Sequence, residues 1–163
     1  LLARARILRE MTADAGALLI VNDRPDIAVL SEADGVHVGQ DDLPPADVRR
    51  LVGAGMIVGW STHSAALAAE ANELPLEYIG VGPFAPTATK GYETGLGPEL
   101  VRAARGRTDL PIVAIGGITC ENAALAVEAG ATAVAVCAAL CGDADPEAAA
   151  RRLRAVVEGV VRP

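Results

Sequence analysis

The residues able to do chemistry in this sequence are acids, amides, hydroxyls and one lysine. Asp23 and Asp42 each follow an apolar run that reads as a β-strand, on consecutive βα units. Carboxylates so placed can share a hard cation, and Mg2+ takes one or two carboxylates, several waters and a substrate phosphate. The same two aspartates could instead cap the helices that follow, and the sequence barely separates Asp41 from Asp42. Lys90 is the only lysine, although Lys and Arg together number 14. Arg serves wherever a generic cation is needed, so Lys90 is either a lysine that survived by chance or a place for a compact ammonium rather than a planar fork. It ends the loop Gly82-Pro83-Phe84-Ala85-Pro86-Thr87-Ala88-Thr89-Lys90, which two prolines stiffen. There Thr87 and Thr89 offer hydroxyls and Lys90 a charge suited to a phosphate. Gly116-Gly117 follows a strand and opens a helix, which suits a phosphate held by backbone N–H groups or a tight turn. His63 is an acid–base candidate or a polar residue at a helix start. His37, inside a strand, is expected to be structural.

These residues need elements to place them. Apolar runs alternate with helical stretches along the whole chain. The spacing predicts a helix over Leu1–Asp14 that Gly16 ends. Ala17–Val21 reads as a strand covered on both faces. Strands are expected at Gly35–Val38, Met56–Trp60, Tyr78–Val81, Ile112–Ile115 and Ala133–Val136. Helices are expected after Pro25 and over Pro45–Leu51, Ala65–Ala71, Pro98–Arg105 and Glu121–Glu128. The last helix has Asp145 as N-cap, Pro146 at its first position and Glu147 in its first turn, with Gly159 as its stop. Six strands, each followed by a helix, imply one α/β domain over residues 1–163 with a parallel sheet, either doubly wound or a barrel. The polar clusters at Asn22-Asp23, Gln40 to Asp42, Ser61 to Ser64, Thr87 to Lys90 and Gly116 to Thr119 all follow strands. In a parallel sheet that is the ligand-binding end.

Composition narrows the function. The 163 residues are 52% apolar, enough for a sizeable core. A net charge of −7 and 2% aromatic residues argue against a nucleic-acid binder, which needs a basic face or stacking platforms. No apolar run approaches the roughly 20 residues that span a membrane, and the N-terminus lacks the pattern of a signal peptide. Cys120, Cys137 and Cys141 form no metal-ligand spacing. They are expected to be reduced, buried small hydrophobes in a cytoplasmic protein.

Several segments, in order and over nearly the whole chain, resemble the thiamine-phosphate synthase family. They are Leu19-Ile20-Val21-Asn22-Asp23-Arg24, Asp34 to Pro44 (DGVHVGQDDLP), Gly59-Trp60-Ser61-Thr62-His63-Ser64, Tyr78-Ile79-Gly80-Val81-Gly82-Pro83, Pro86 to Lys90 and Ala114-Ile115-Gly116-Gly117-Ile118. The resemblance implies a TIM (β/α)8 barrel, here with about six of the eight βα units. It implies an enzyme that joins a hydroxymethylpyrimidine diphosphate to a thiazole phosphate and releases pyrophosphate. By resemblance, Asn22 holds the diphosphate, Asp23 and Asp42 hold Mg2+, and Ser61 and Lys90 contact the diphosphate as the catalytic pair. Thr87, Ala88 and Thr89 line the thiazole phosphate side. Gly117, with the backbone of Cys137 and Ala138, binds the thiazole phosphate. The expected partners are small-molecule substrates, with a second copy of the chain, as a homo-oligomer, a further candidate.

Two departures follow. The family has two further strands upstream and a Gln-x-Arg-type motif whose basic groups meet the diphosphate. A chain lacking them is expected to be weakly active at best. The family also often has Ser where this chain has Ala138, which removes one hydroxyl contact. Two other readings stand beside the synthase. One is the thiazole tautomerase/regulator branch of the same superfamily, which would use His63 and needs no Mg2+ carboxylates. The other is an inactive barrel fragment.

Overall fold

Each of the six apolar runs forms a strand in the computed structural model, which describes residues 1–87 and 93–161. The strands are β1 (Ile20–Asn22), β2 (Gly35–Val38), β3 (Ile57–Thr62), β4 (Tyr78–Val81), β5 (Ile112–Ile115) and β6 (Ala133–Ala135). Their spatial order is their chain order, β1-β2-β3-β4-β5-β6. A doubly wound sheet reverses its order at a switch point, whereas a barrel does not. The fold class is therefore α/β of the barrel type. The helices are α1 (Leu2–Asp14), α2 (Pro25–Leu30), α3 (Pro45–Val52), α4 (Ala65–Glu70), α5 (Gly97–Arg105), α6 (Ala123–Glu128), α7 (Ala138–Cys141) and α8 (Pro146–Val161). Among the described residues, no helix is long and apolar enough to cross a membrane.

The chain divides into two compact units. One comprises Leu1–Ser61 with Ala71–Tyr78, the other Thr62–Glu70 with Ile79–Pro163. In the first, β1, β2 and β3 pair in parallel, with Val21, Val36 and Val58 in register and Asn22, His37 and Gly59 in the next row. Side chains alternate across a strand. Val36, Val38 and Val58 are wholly buried on one face, and Ile27, Ala28 and Val48 of α2 and α3 complete that core. The other face carries Asn22, His37, Gly59 and Ser61. Acids placed just before strands tie the near end together. Asp34 accepts the Leu19 N–H at 2.8 Å and pairs with Arg9 at 3.0 Å. Glu77 accepts the Val58 N–H at 2.6 Å and pairs with Arg49.

In the second unit, β4, β5 and β6 pair in parallel with Ile79 opposite Ile112 and Ala114 opposite Val134. Ile79, Val81, Ile112 and Ala114 are buried on one face, joined by Val101, Ala104, Ala123 and Ala126 of α5 and α6. The opposite face is more open, and Ile115 there is 39% exposed.

Several sequence expectations need correction. The first strand is Ile20–Asn22, not Ala17–Val21, and it is not covered on both faces: Ile20 and Val21 are half-buried, and Leu18 is 65% exposed before the ladder starts. β3 runs two residues beyond Trp60, because the Gly82 N–H donates to the Thr62 carbonyl and the Thr62 hydroxyl to the Gly80 carbonyl at 3.0 Å. Gly159 does not stop the last helix, which continues to Val161. A helical glycine costs only about 1 kcal/mol relative to alanine. The cysteines are not buried: Cys120 is half-buried, and Cys137 and Cys141 are exposed. The latter two flank and end α7, a short helix without a buried residue that the sequence pattern does not announce.

Candidate functional site

At the carboxyl ends of β1 to β3, the first unit gathers four of the expected residues. Asn22 is the last residue of β1 and lies in register with His37. Asp23 follows with φ 63°, a left-handed conformation uncommon outside glycine. Its N–H continues the ladder by donating to the His37 carbonyl at 2.8 Å. Asp42 turns back on its own loop, and its Oδ2 accepts the Gly39 N–H at 2.7 Å. Neither aspartate occupies a helix N-cap position, which Arg24 and Pro44 take in α2 and α3. Asp42 closes a turn, and its other oxygen has no hydrogen-bond partner among the described residues.

This donor set fits Mg2+ by chemistry, with hard carboxylate oxygens on two successive βα loops. Among the described residues, no group of three or more His, Cys, Asp or Glu is placed to hold a metal. Mg2+ sites take few protein ligands and complete their shell with water and phosphate.

Ser61 sits near the end of β3 and is 8% exposed. Its hydroxyl lies 2.9 Å from His37 Nε2, and His37 Nδ1 lies 3.0 Å from the Tyr78 hydroxyl. The imidazole and phenol rings stack with centroids 5.4 Å apart. Room for the phenol comes from Gly59, where a Cβ would fall on the Tyr78 ring. Burial pushes the Tyr78 pKa up to about 12, so it remains a phenol throughout the physiological range. Gln40 Nε2 donates to the Ser61 carbonyl at 2.5 Å. His37, expected to be structural, is thus bonded to a predicted site residue. Tyr78 was missed, because a strand aromatic reads as core. The available signal was Gly59, since a glycine inside a strand often marks close approach by another group.

At the carboxyl ends of β4 and β5, the second unit places Gly116 and Gly117 at φ 93° and 66°. A Cβ on Gly117 would lie 2.6 Å from the Pro86 carbonyl oxygen. The glycines are therefore required by the turn and by the Pro83–Pro86 segment beside it. That segment is bonded in turn: Phe84 N–H donates to the Ile115 carbonyl and Ala85 N–H to the Gly116 carbonyl, both at 2.9 Å. Asn122 secures the loop, donating to the Gly117 carbonyl at 2.9 Å and accepting from the Thr119 N–H. No sequence motif announced it. Thr87 is half-buried after β4. Ala88, Thr89 and Lys90 lie outside the described residues. Cys137 precedes α7 and Ala138 opens it, and both are exposed. The His63 imidazole is held by the Gly82 carbonyl, 2.6 Å from Nδ1, which makes Nδ1 the protonated nitrogen.

Comparison with known proteins places this arrangement. A family model described as thiamine monophosphate synthase matches residues 1–140. A thiamine-phosphate synthase from Natronomonas pharaonis is 47% identical over 156 residues, covering 94% of this chain and 73% of its own length. One from Moorella thermoacetica is 48% identical over 153 residues, covering 93% and 73%. Among solved structures, a thiamine phosphate pyrophosphorylase from Pyrococcus furiosus superposes with a TM-score of 0.91 at 33% identity. That match covers 99% of this chain and 77% of the other.

Proposed function

The chain belongs to the thiamine monophosphate synthase family, a transferase family of thiamine biosynthesis, and from that premise we propose that it joins a pyrimidine methyl diphosphate to a thiazole phosphate. The C–O bond to the diphosphate breaks, pyrophosphate leaves, and the thiazole nitrogen takes the vacated carbon to form the C–N bond of thiamine phosphate. The aminopyrimidine ring stabilises the developing cation, so no protein nucleophile is needed. The protein positions two substrates and offsets charge on the leaving group.

In this reading Asn22, Ser61 and Lys90 contact the diphosphate. Asp23 and Asp42 would hold Mg2+, whose charge offsets that of the diphosphate. Thr87, Ala88, Thr89, Gly117 and the backbone at Cys137 and Ala138 would receive the thiazole phosphate. The supporting observation is the strand register. Asn22, His37 and Gly59 form one row and Ser61 lies two residues further on, so Asn22 and Ser61 share one face at the carboxyl ends of the strands.

The test is pyrophosphate release from both substrates, with Mg2+ or with a chelator. Release is expected to need Mg2+ and to fall at least about tenfold in Asp42→Ala and Lys90→Ala, the loss of one charged contact. Release indifferent to chelation and to both substitutions, or none from a folded chain that carries the upstream strands, would overturn the reading.

A further inference from the structure

We propose that Tyr78 and His37 are positioning residues that turn the Ser61 hydroxyl outward, as a hydrogen-bond donor to the diphosphate; the inference rests on the synthase reading above. The geometry lies within the first unit. The His37 ring bridges two hydroxyls, with Nδ1 3.0 Å from Tyr78 and Nε2 2.9 Å from Ser61. The stacked Tyr78 ring, its plane 28° from that of the imidazole, restricts rotation of His37. Gly59 opens the space the phenol fills. Gln40 fixes the Ser61 carbonyl from the backbone side.

Proton bookkeeping sets the direction. A neutral imidazole has one N–H and one acceptor nitrogen. If the Tyr78 O–H donates to Nδ1, the imidazole proton sits on Nε2 and donates to Ser61 Oγ. The Ser61 proton is then directed away from the ring and can be given to an anion. In the reverse order, Ser61 donates to Nε2, Nδ1–H donates to Tyr78, and Ser61 presents only lone pairs, which repel a phosphate oxygen. Of the two hydroxyls that meet the ring, the phenol is the stronger hydrogen-bond donor and the weaker acceptor, which suits the first order. The three groups therefore form a one-way chain of donors, Tyr78 to His37 to Ser61 to diphosphate. No bond other than hydrogen bonds changes along it. A serine at this position without the two rings could serve as either donor or acceptor, so the rings add polarity to a contact that serine alone leaves undecided.

The experiment has two arms on the full chain. In the first, nitrogen NMR of 15N-labelled protein without ligand reads the His37 tautomer. The Nε2–H form is expected in the wild type and a mixture in Tyr78→Phe. In the second, inorganic pyrophosphate is titrated with Mg2+ by calorimetry. Affinity is expected to fall about tenfold in Tyr78→Phe and in Ser61→Ala, and no further in the double variant, because all three remove one hydrogen bond to a charged group. His37→Gln, which can still direct an N–H at Ser61, should bind better than His37→Leu. KM for the thiazole phosphate should not move in any of them, which general loosening of the fold would not achieve. An Nδ1–H tautomer in the wild type, or losses that add in the double variant, would overturn the relay. Pyrophosphate that fails to bind a wild-type chain carrying the upstream strands would overturn the diphosphate reading, while the ligand-free tautomer still judges the relay alone. If Tyr78→Phe fails to fold, the wild-type tautomer and the two His37 variants decide.

Discussion

At Gly59 the missing side chain is a structural requirement, because a Cβ there would occupy the Tyr78 ring. Gly55, four residues earlier, has nothing within 4 Å of the same position. The two glycines should therefore respond oppositely to alanine. Gly59→Ala should lose about 1–3 kcal/mol of unfolding free energy through overpacking. Gly55→Ala should be neutral or gain up to about 1 kcal/mol by restricting the unfolded chain. Urea unfolding of the pair checks this. Residues also differ in how far the sequence exposes them. Asn22, Asp23, Asp42 and Ser61 are legible as candidates because each belongs to a polar cluster that follows an apolar run. Their partners are not. His37 and Tyr78 sit mid-strand, where a ring reads as packing, and only the parallel register brings them beside Ser61. Asp42 was legible as an acid but not as the acceptor of the Gly39 N–H, since that depends on a local turn.

Elements were easiest to read where glycine or a polar cluster marks both ends. β2, β4 and β5 match their expected bounds for that reason. β3 reads short in the sequence because Ser61 and Thr62 look like loop residues, yet the Thr62 carbonyl and hydroxyl carry the pairing on. α7 escaped because four residues show no period. The opening of α8 was fully legible: Pro146 starts it, and Asp145 Oδ1 accepts the Ala148 N–H at 3.0 Å. That cap satisfies one of the donors left open at a helix start. α8 brings Ala149 and Leu153 into the core of the second unit. Asp145→Ala should therefore cost about 1 kcal/mol, and Asp145→Ser should recover most of it, as read from thermal unfolding.

The whole molecule carries a net charge of −7, with a pI of about 4.8. It also leaves Leu1, then Ile7, Leu8 and Met11 of the first helix, and Leu18 exposed. Charge repulsion keeps such surfaces apart, and it vanishes at the pI. Light scattering should stay low near pH 7.5 and rise steeply as pH approaches 4.8, with salt raising it at neutral pH by screening. Replacing Ile7 and Met11 by Glu should flatten that rise. One further property follows from a residue already placed in β3. Trp60 is the only tryptophan, is 6% exposed, and directly precedes Ser61. All indole fluorescence therefore originates from one strand, held out of water beside the proposed diphosphate contact. The chain carries its own optical reporter at that strand, so binding and unfolding there can be followed by emission without attaching a dye.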